Sequence, residues 1–431
     1  MGTFLPTFVT IPAVGTAITF LLFSGVLLVL CLLYFVSPRV QGNDSEGRAE
    51  ERSESGLKET AEGEPEEKGG KETEEKQDVE PKEQKPEKRK GKTSESDAKN
   101  KLRITLGIVI FAACCVFGHE SSFAFWQEDL TYEGESVYNY LQVYEDDQKA
   151  VLSTNVLFGV QSVYRKEKSL TGMYYDYAMA APLMAGARAK DSTDILILGM
   201  GTGTFATQCH RYFDGIHVEG VEIDEKITDL AHEYFALSED TKVTTYDGRA
   251  YLAADKGKYD VIMVDAYQDI TIPFQMSSVE FFTMVRDHLK EDGVMVVNMN
   301  MRGQKEGNIN EYLSDTIAGV FDSVYTADVK GSTNRELFAC CGSDIGERMQ
   351  KALESYSDTD LTEDDAQLIA MMQRVEGELV EYEGGSYILT DDKAPVELLG
   401  MQVIDDLIRD EVSYYKDIYQ QDGLKGLLEV L

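Results

Sequence analysis

Positive charge is scarce in this chain: 41 lysines and arginines face 77 aspartates and glutamates, a formal net charge of −36. Phosphate contacts need clustered cations, so nucleic acid is excluded as a partner, and a cationic small molecule suits the chain better. A solvated acidic surface is the plainer reading of the same imbalance. Cysteine is limited to Cys31, Cys114, Cys115, Cys209, Cys340 and Cys341. None of their spacings makes a zinc site or a disulfide framework, so they read as reduced thiols and no bound metal is expected. No internal repeat is visible, which excludes a repeat architecture.

Apolar residues are plentiful, 43% of 431, enough to bury at least one sizeable core in two or three domains. The stretch from Thr16 to Val36 carries no charge and is long enough to cross a bilayer. A cleaved signal peptide would need a basic start and a shorter run. Pro6, Pro12 and Gly15 look like the end of a preceding hydrophobic segment and its turn, so the chain is expected to be the tail of a larger membrane domain. From Gly42 to Asn100 the composition turns to Glu, Lys, Gly, Ser and Pro with no aromatic residue. That stretch reads as a disordered linker, since nothing in it offsets the entropy of ordering. "LRITLGIVIFAACCVFG", Leu102 to Gly118, is a shorter apolar run read as a second span. Arg39, Lys88, Arg89, Lys90, Lys99, Lys101 and Arg103 would place the linker in the cytoplasm and everything after Gly118 outside. A domain that uses a cytosolic nucleoside contradicts that placement, and the cytoplasmic catalytic domain is the reading kept.

Beyond Gly118, "SVYNYLQVYEDDQKAVLSTNVLFGVQSVY" alternates short apolar and polar runs around Asp146 and Asp147, the pattern of a small antiparallel sheet. From Asp194 onward strands alternate with helical patterns. The strands are expected at Ile195 to Gly199, His217 to Ile223, Val243 to Tyr246, Tyr259 to Val264, Val294 to Asn298, Ser323 to Val329 and Glu336 to Cys341. Alternation of this kind builds an α/β fold, a doubly wound parallel sheet covered on both faces.

The chemistry concentrates at the ends of those strands. Gly199, Gly201 and Gly203 follow the first strand and open a helix, leaving backbone N–H groups free to meet a ligand; a ligand-free turn is the alternative. Glu222 ends the second strand, placed to accept hydrogen bonds from both hydroxyls of a ribose. Asp247, with Gly248 after it, ends the third, where it suits an adenine amine or caps the next helix. Asp265 ends the fourth, in the crevice where open α/β sheets bind ligands, and Asp269 follows. Two carboxylates beside a sulfonium suit a cationic amine. Such an amine, with a pKa near 10, must lose a proton before attacking carbon.

Taken in order, these residues resemble the polyamine aminopropyltransferases, the spermidine synthase family, in particular bacterial members fused behind a membrane domain. The resemblance runs from about Glu135 to Leu399. By it, Gln161 and Tyr175 lie near the adenosyl co-substrate and Tyr174 near the amine. Glu222 holds ribose, Asp247 adenine, and Asp265 is catalytic. Asp269 sits one residue late for the family's second amine-binding aspartate. "LTDDKAPVE", Leu389 to Glu397, also resembles the fused members, with Asp391 and Asp392 structural. The family's glycine turn carries an aspartate where Thr202 stands, so the charge that selects decarboxylated S-adenosylmethionine is missing.

The resemblance implies a class I methyltransferase-like Rossmann fold and transfer of an aminopropyl group from decarboxylated S-adenosylmethionine to a diamine such as putrescine. No permanently bound cofactor is implied, and a homodimer is. With Thr202 in place, ordinary S-adenosylmethionine becomes admissible, which keeps open a methyltransferase and a membrane-tethered adenosyl or polyamine sensor. The expected organisation is transmembrane segment 1–41, linker 42–100, second span 101–118, β-sheet subdomain 119–190 and S-adenosyl-binding catalytic domain 191–431.

Overall fold

The computed structural model describes residues 10–36, 93–118, 129–155, 160–167, 170–267, 272–300, 302–303, 305–342, 344–356 and 361–430. Two compact units divide the chain, Met1–Trp126 and Gln127–Leu431. In the first, α1 (Ile11–Val36) packs beside α2 (Thr93–Gly118). A Cβ on Gly25 would lie 3.0 Å from the Phe111 ring, so a small residue permits the approach. Val14–Leu33, with a mean hydropathy of 2.6, turns Phe20, Leu22, Val26, Leu27 and Leu30 outward, an arrangement that water penalises and hydrocarbon does not.

Among the described residues, α1 is the one helix long and apolar enough to cross a membrane. The second span expected at 101–118 does not qualify. Its helix starts with three polar turns carrying Lys99, Lys101 and Arg103, and the apolar part that remains is short. Those first turns include Thr93–Asn100, which the sequence assigns to the linker. Ser, Glu, Asp, Ala and Lys there tolerate a helix, and the apolar run downstream supplies the packing that propagates it.

In the second unit, β1 (Leu130–Glu135), β2 (Tyr140–Glu145), β3 (Lys149–Thr154) and β4 (Val160–Arg165) form the expected antiparallel meander, with β1 upstream of the stretch that suggested it. Asp146 makes the β2–β3 turn by accepting N–H bonds from Gln148 at 2.7 Å and Lys149 at 2.8 Å. Two short buried helices follow, α3 (Tyr174–Ala178) and α4 (Ala180–Met184).

The large sheet is then laid down as β5 (Thr193–Leu198), α5 (Thr204–Tyr212), β6 (Ile216–Glu222), α6 (Glu225–Tyr234), β7 (Lys242–Thr245), α7 (Gly248–Ala254), β8 (Tyr259–Val264), α8 (Val279–His288) and β9 (Leu289–Met299). It continues through α9 (Ile309–Ala318), β10 (Ser323–Asp328), β11 (Arg335–Cys340), α10 (Ile345–Glu354), α11 (Glu363–Glu378), β12 (Leu379–Glu381) and α12 (Val396–Val430).

Spatial order is β12-β10-β11-β9-β8-β5-β6-β7. From β7 to β9 the strands are parallel, whereas β11 runs against both of its neighbours. All seven expected strands are present, and the departure from a wholly parallel sheet has a simple cause. The β10–β11 connection is a short turn closed by Val329 N–H to the Asn334 carbonyl at 3.0 Å, and a crossover to a parallel strand needs a dozen or more residues.

Strands covered on both faces bury every side chain, as the uniformly buried "YDVIMV" of β8 does. Ile195 and Ile197 face one layer, Leu196 and Leu198 the other. The meander docks by its own apolar face: Leu141, Val143, Ala150 and Leu152 close over Ile227, Leu230 and Phe235. Ser136 and Asn139 fix that docking, each donating to Asp224, at 2.6 and 2.9 Å.

Candidate active site

A cleft of about 370 Å³ opens over the carboxyl ends of β5 to β8. There β5 sends its neighbours β6 and β8 in opposite directions, the switch point at which sheets of this kind form a crevice. Gly199 and Gly201 line it. Gly199 has φ +85°, and a Cβ there would lie 2.6 Å from the Asp265 carbonyl and Ala266 Cα, so the ends of β5 and β8 approach closely only through glycine. Gly203 does not line the cleft, contrary to its expected role. It precedes α5 in the left-handed region, and its Cβ position is filled by Leu237 at 2.6 Å.

Glu222 is buried at the end of β6. Its Oε2 accepts the Gly201 N–H at 2.8 Å and its Oε1 the Asp224 N–H at 3.0 Å, so the acid fixes the turn while facing the cleft. Burial holds its carboxyl above the ordinary range. Asp247 and Gly248 line the same end, with Ile223 and Tyr246. Asp247 also caps α7, Oδ1 accepting the Ala250 N–H at 2.8 Å, which is the capping alternative. Asp391 is structural, as expected: it pairs with both Arg249 guanidinium nitrogens at 2.6 Å and accepts from Ser278 at 2.5 Å.

Asp265 stands at the end of β8, its N–H bound to the Leu198 carbonyl at 2.9 Å. Oδ1 accepts from Asn298 Nδ2 at 2.8 Å, and Asn298 Oδ1 accepts in turn from Asn334 Nδ2 at 2.8 Å. Burial raises the Asp265 carboxyl to about 7, although donors on Asn298 and Tyr174 oppose the rise. Burial and the Asp265 charge push the Tyr174 hydroxyl upward, which keeps it a proton donor. Tyr267 donates to the Asn298 carbonyl and accepts the Asn300 N–H at 2.7 Å, bracing the same wall.

Gln161, Tyr174 and Tyr175 line the cleft. The Tyr175 hydroxyl is spent on the Val163 carbonyl at 2.8 Å, so only its ring is available to a ligand. Asp269 lies outside the described residues. At Thr202, where the family's turn has an acid, three buried hydroxyls meet. Ser162 Oγ lies 2.6 Å from Thr202 Oγ1 and 2.8 Å from Thr204 Oγ1, and the two threonines are 3.1 Å apart.

Sequence reasoning missed Asn298, Asn300, Asn334, Tyr267 and this triad. The strand-end rule that found Asp265 also reaches "VVNMN". Ser162 gives no such signal, because only folding brings β4 to the turn.

Comparison with known proteins adds the following. Residues 174–329 match the model of the spermine/spermidine synthase domain. A probable polyamine aminopropyl transferase of Bifidobacterium longum (strain NCC 2705) is 54% identical over 341 residues, spanning 77% of this chain and 76% of that protein. A polyamine aminopropyltransferase of Vibrio vulnificus (strain CMCP6) is 28% identical over 241 residues, 54% of this chain and 78% of that one. Spermidine synthase from Thermotoga maritima superposes with a TM-score of 0.43 at 20% identity, covering 57% of this chain and 84% of its own.

Proposed function

The chain belongs to the polyamine aminopropyltransferases, and on that premise we propose that it transfers an aminopropyl group from decarboxylated S-adenosylmethionine to a diamine such as putrescine. Asp265 carries the reading: a carboxylate held in the cleft by Asn298, with its carboxyl raised to about 7, matches the task of taking a proton from an ammonium. The amine nitrogen attacks the carbon next to the sulfonium, the C–S bond breaks, and neutral methylthioadenosine leaves. The proton passes to Asp265 and then to water. Alignment of nitrogen, carbon and sulfur supplies most of the acceleration, with proton acceptance adding to it.

In this reading Glu222 receives the ribose hydroxyls, and Asp247 receives the adenine amine through the oxygen not used as cap. The Tyr175 ring and Gln161 flank the donor, and Tyr174 and Asp269 face the amine. The hydroxyl triad takes over the work of the missing turn acid. A ring of three hydroxyls uses one donor and one lone pair apiece, leaving three lone pairs for the three hydrogens of the donor's ammonium end. Methyl transfer and sensing are not favoured, given 54% identity to a protein named as an aminopropyl transferase. α1 serves as a membrane tether, since its outward face is apolar apart from Ser24.

The test is incubation of the full chain in detergent with putrescine and each adenosyl donor, followed by mass spectrometry. Spermidine with methylthioadenosine is expected from the decarboxylated donor. A methylated amine with S-adenosylhomocysteine would overturn the proposal.

A further inference from the structure

Glu336 is a buried acid that the transfer chemistry leaves unused. On β11 it sits opposite Asn298 of β9, 0% exposed, on the face that also presents Phe338 and Cys340. Helix α3 packs across that face. Neither carboxylate oxygen has a hydrogen-bond partner among the described residues. The groups that bear on it are Asp265 at the end of β8, Tyr174 on α3 and Tyr267 after β8. Tyr177 of α3 shares the layer, and β10 presents only Ala327 opposite. Of these only Asp265 carries charge, and it repels.

An ionised carboxylate with no hydrogen bond and no counter-ion is too costly to bury, so such a group holds a proton instead. A cation changes that balance. One unit charge about 6 Å away, at an effective dielectric near 20, favours the ionised form on the order of a hundredfold. We propose that Glu336 is a charge reserve for the acceptor: neutral while the cleft is empty, it releases its proton when a cationic amine settles beside Asp265, so that acceptor binding is coupled to proton release. This rests on the cleft being an amine site. Its consequence is that a bound dication is balanced by two carboxylates, Asp265 in the cleft wall and Glu336 buried behind Asn298, although the empty cleft never holds both charges.

Titration calorimetry on the full chain in detergent tests it. With methylthioadenosine filling the nucleoside end, putrescine is titrated at pH 8 in two buffers of different ionisation enthalpy. Wild type is expected to release about one proton more than Glu336→Gln. Any proton lost by the amine itself cancels in that difference. Equal release would overturn the inference and leave aminopropyl transfer standing. A wild type that binds no amine beside the nucleoside would overturn both.

Melting temperature is the second readout. A carboxyl raised by folding stabilises below its unfolded value, about 4.3, and loses that contribution as pH rises through its folded value. Glu336→Gln, which never ionises, is therefore expected to melt no lower than wild type at pH 8. A lower melting temperature from pH 5 to 9 would mean that Glu336 is charged and paired in the empty protein, which overturns the proposal.

Discussion

The proposed mechanism needs Asp265 in its ionised form, and burial raises its carboxyl to about 7. kcat/KM for putrescine should therefore fall as pH drops through about 7 and level off above it. A rate profile over pH 5.5 to 9 checks this, and a flat profile would remove the carboxylate from the rate. Asp265→Asn keeps the shape and the contact with Asn298 but cannot accept a proton. It should lose on the order of 10²-fold or more in kcat while methylthioadenosine affinity, measured by calorimetry, stays within about twofold. Asp265, Glu222 and Asp247 were legible in the sequence because an acid at a strand end in an open sheet has one crevice to face. Thr202 was legible only as a missing charge. Its partners come from 40 residues upstream, Ser162, and two downstream, Thr204, and no local pattern marks that meeting.

At the scale of elements, the glycine turn divides by task. Gly199 and Gly201 face the cleft, whereas Gly203 only starts α5 against Leu237. Gly203→Ala should therefore cost about 1–2 kcal/mol of stability from the left-handed backbone alone, more with the Leu237 contact, and leave nucleoside affinity unchanged. Thermal melting beside calorimetry checks both halves, and a large loss of affinity at full stability would return Gly203 to the site. Seven of the eight strands of the large sheet could be read from sequence, since strands buried on both faces are continuous apolar runs. β1, with "LTYEGE", and the three-residue β12 lack that signal. The direction of β11 was hidden too, because orientation follows from connection length and not from composition.

For the whole molecule, the acidic surface and the apolar α1 pull toward different solvents. If α1 is the tether, the chain should sediment with membranes and resist alkaline carbonate. Two lysines at mid-helix, Leu27→Lys with Leu30→Lys, each costing about 2.5–3.5 kcal/mol in hydrocarbon, should release it to the supernatant. Membrane retention of that variant would assign the tether elsewhere. The sheet carries one more consequence. Since β11 enters against the common direction, it meets the crevice with its leading end, where Asn334 and Glu336 lie. The β10–β11 turn thus reaches the cleft wall through Asn334, and on the proposed function lengthening or shortening that single loop is a change in chain length that would adapt this scaffold to longer or shorter amines without disturbing the nucleoside end.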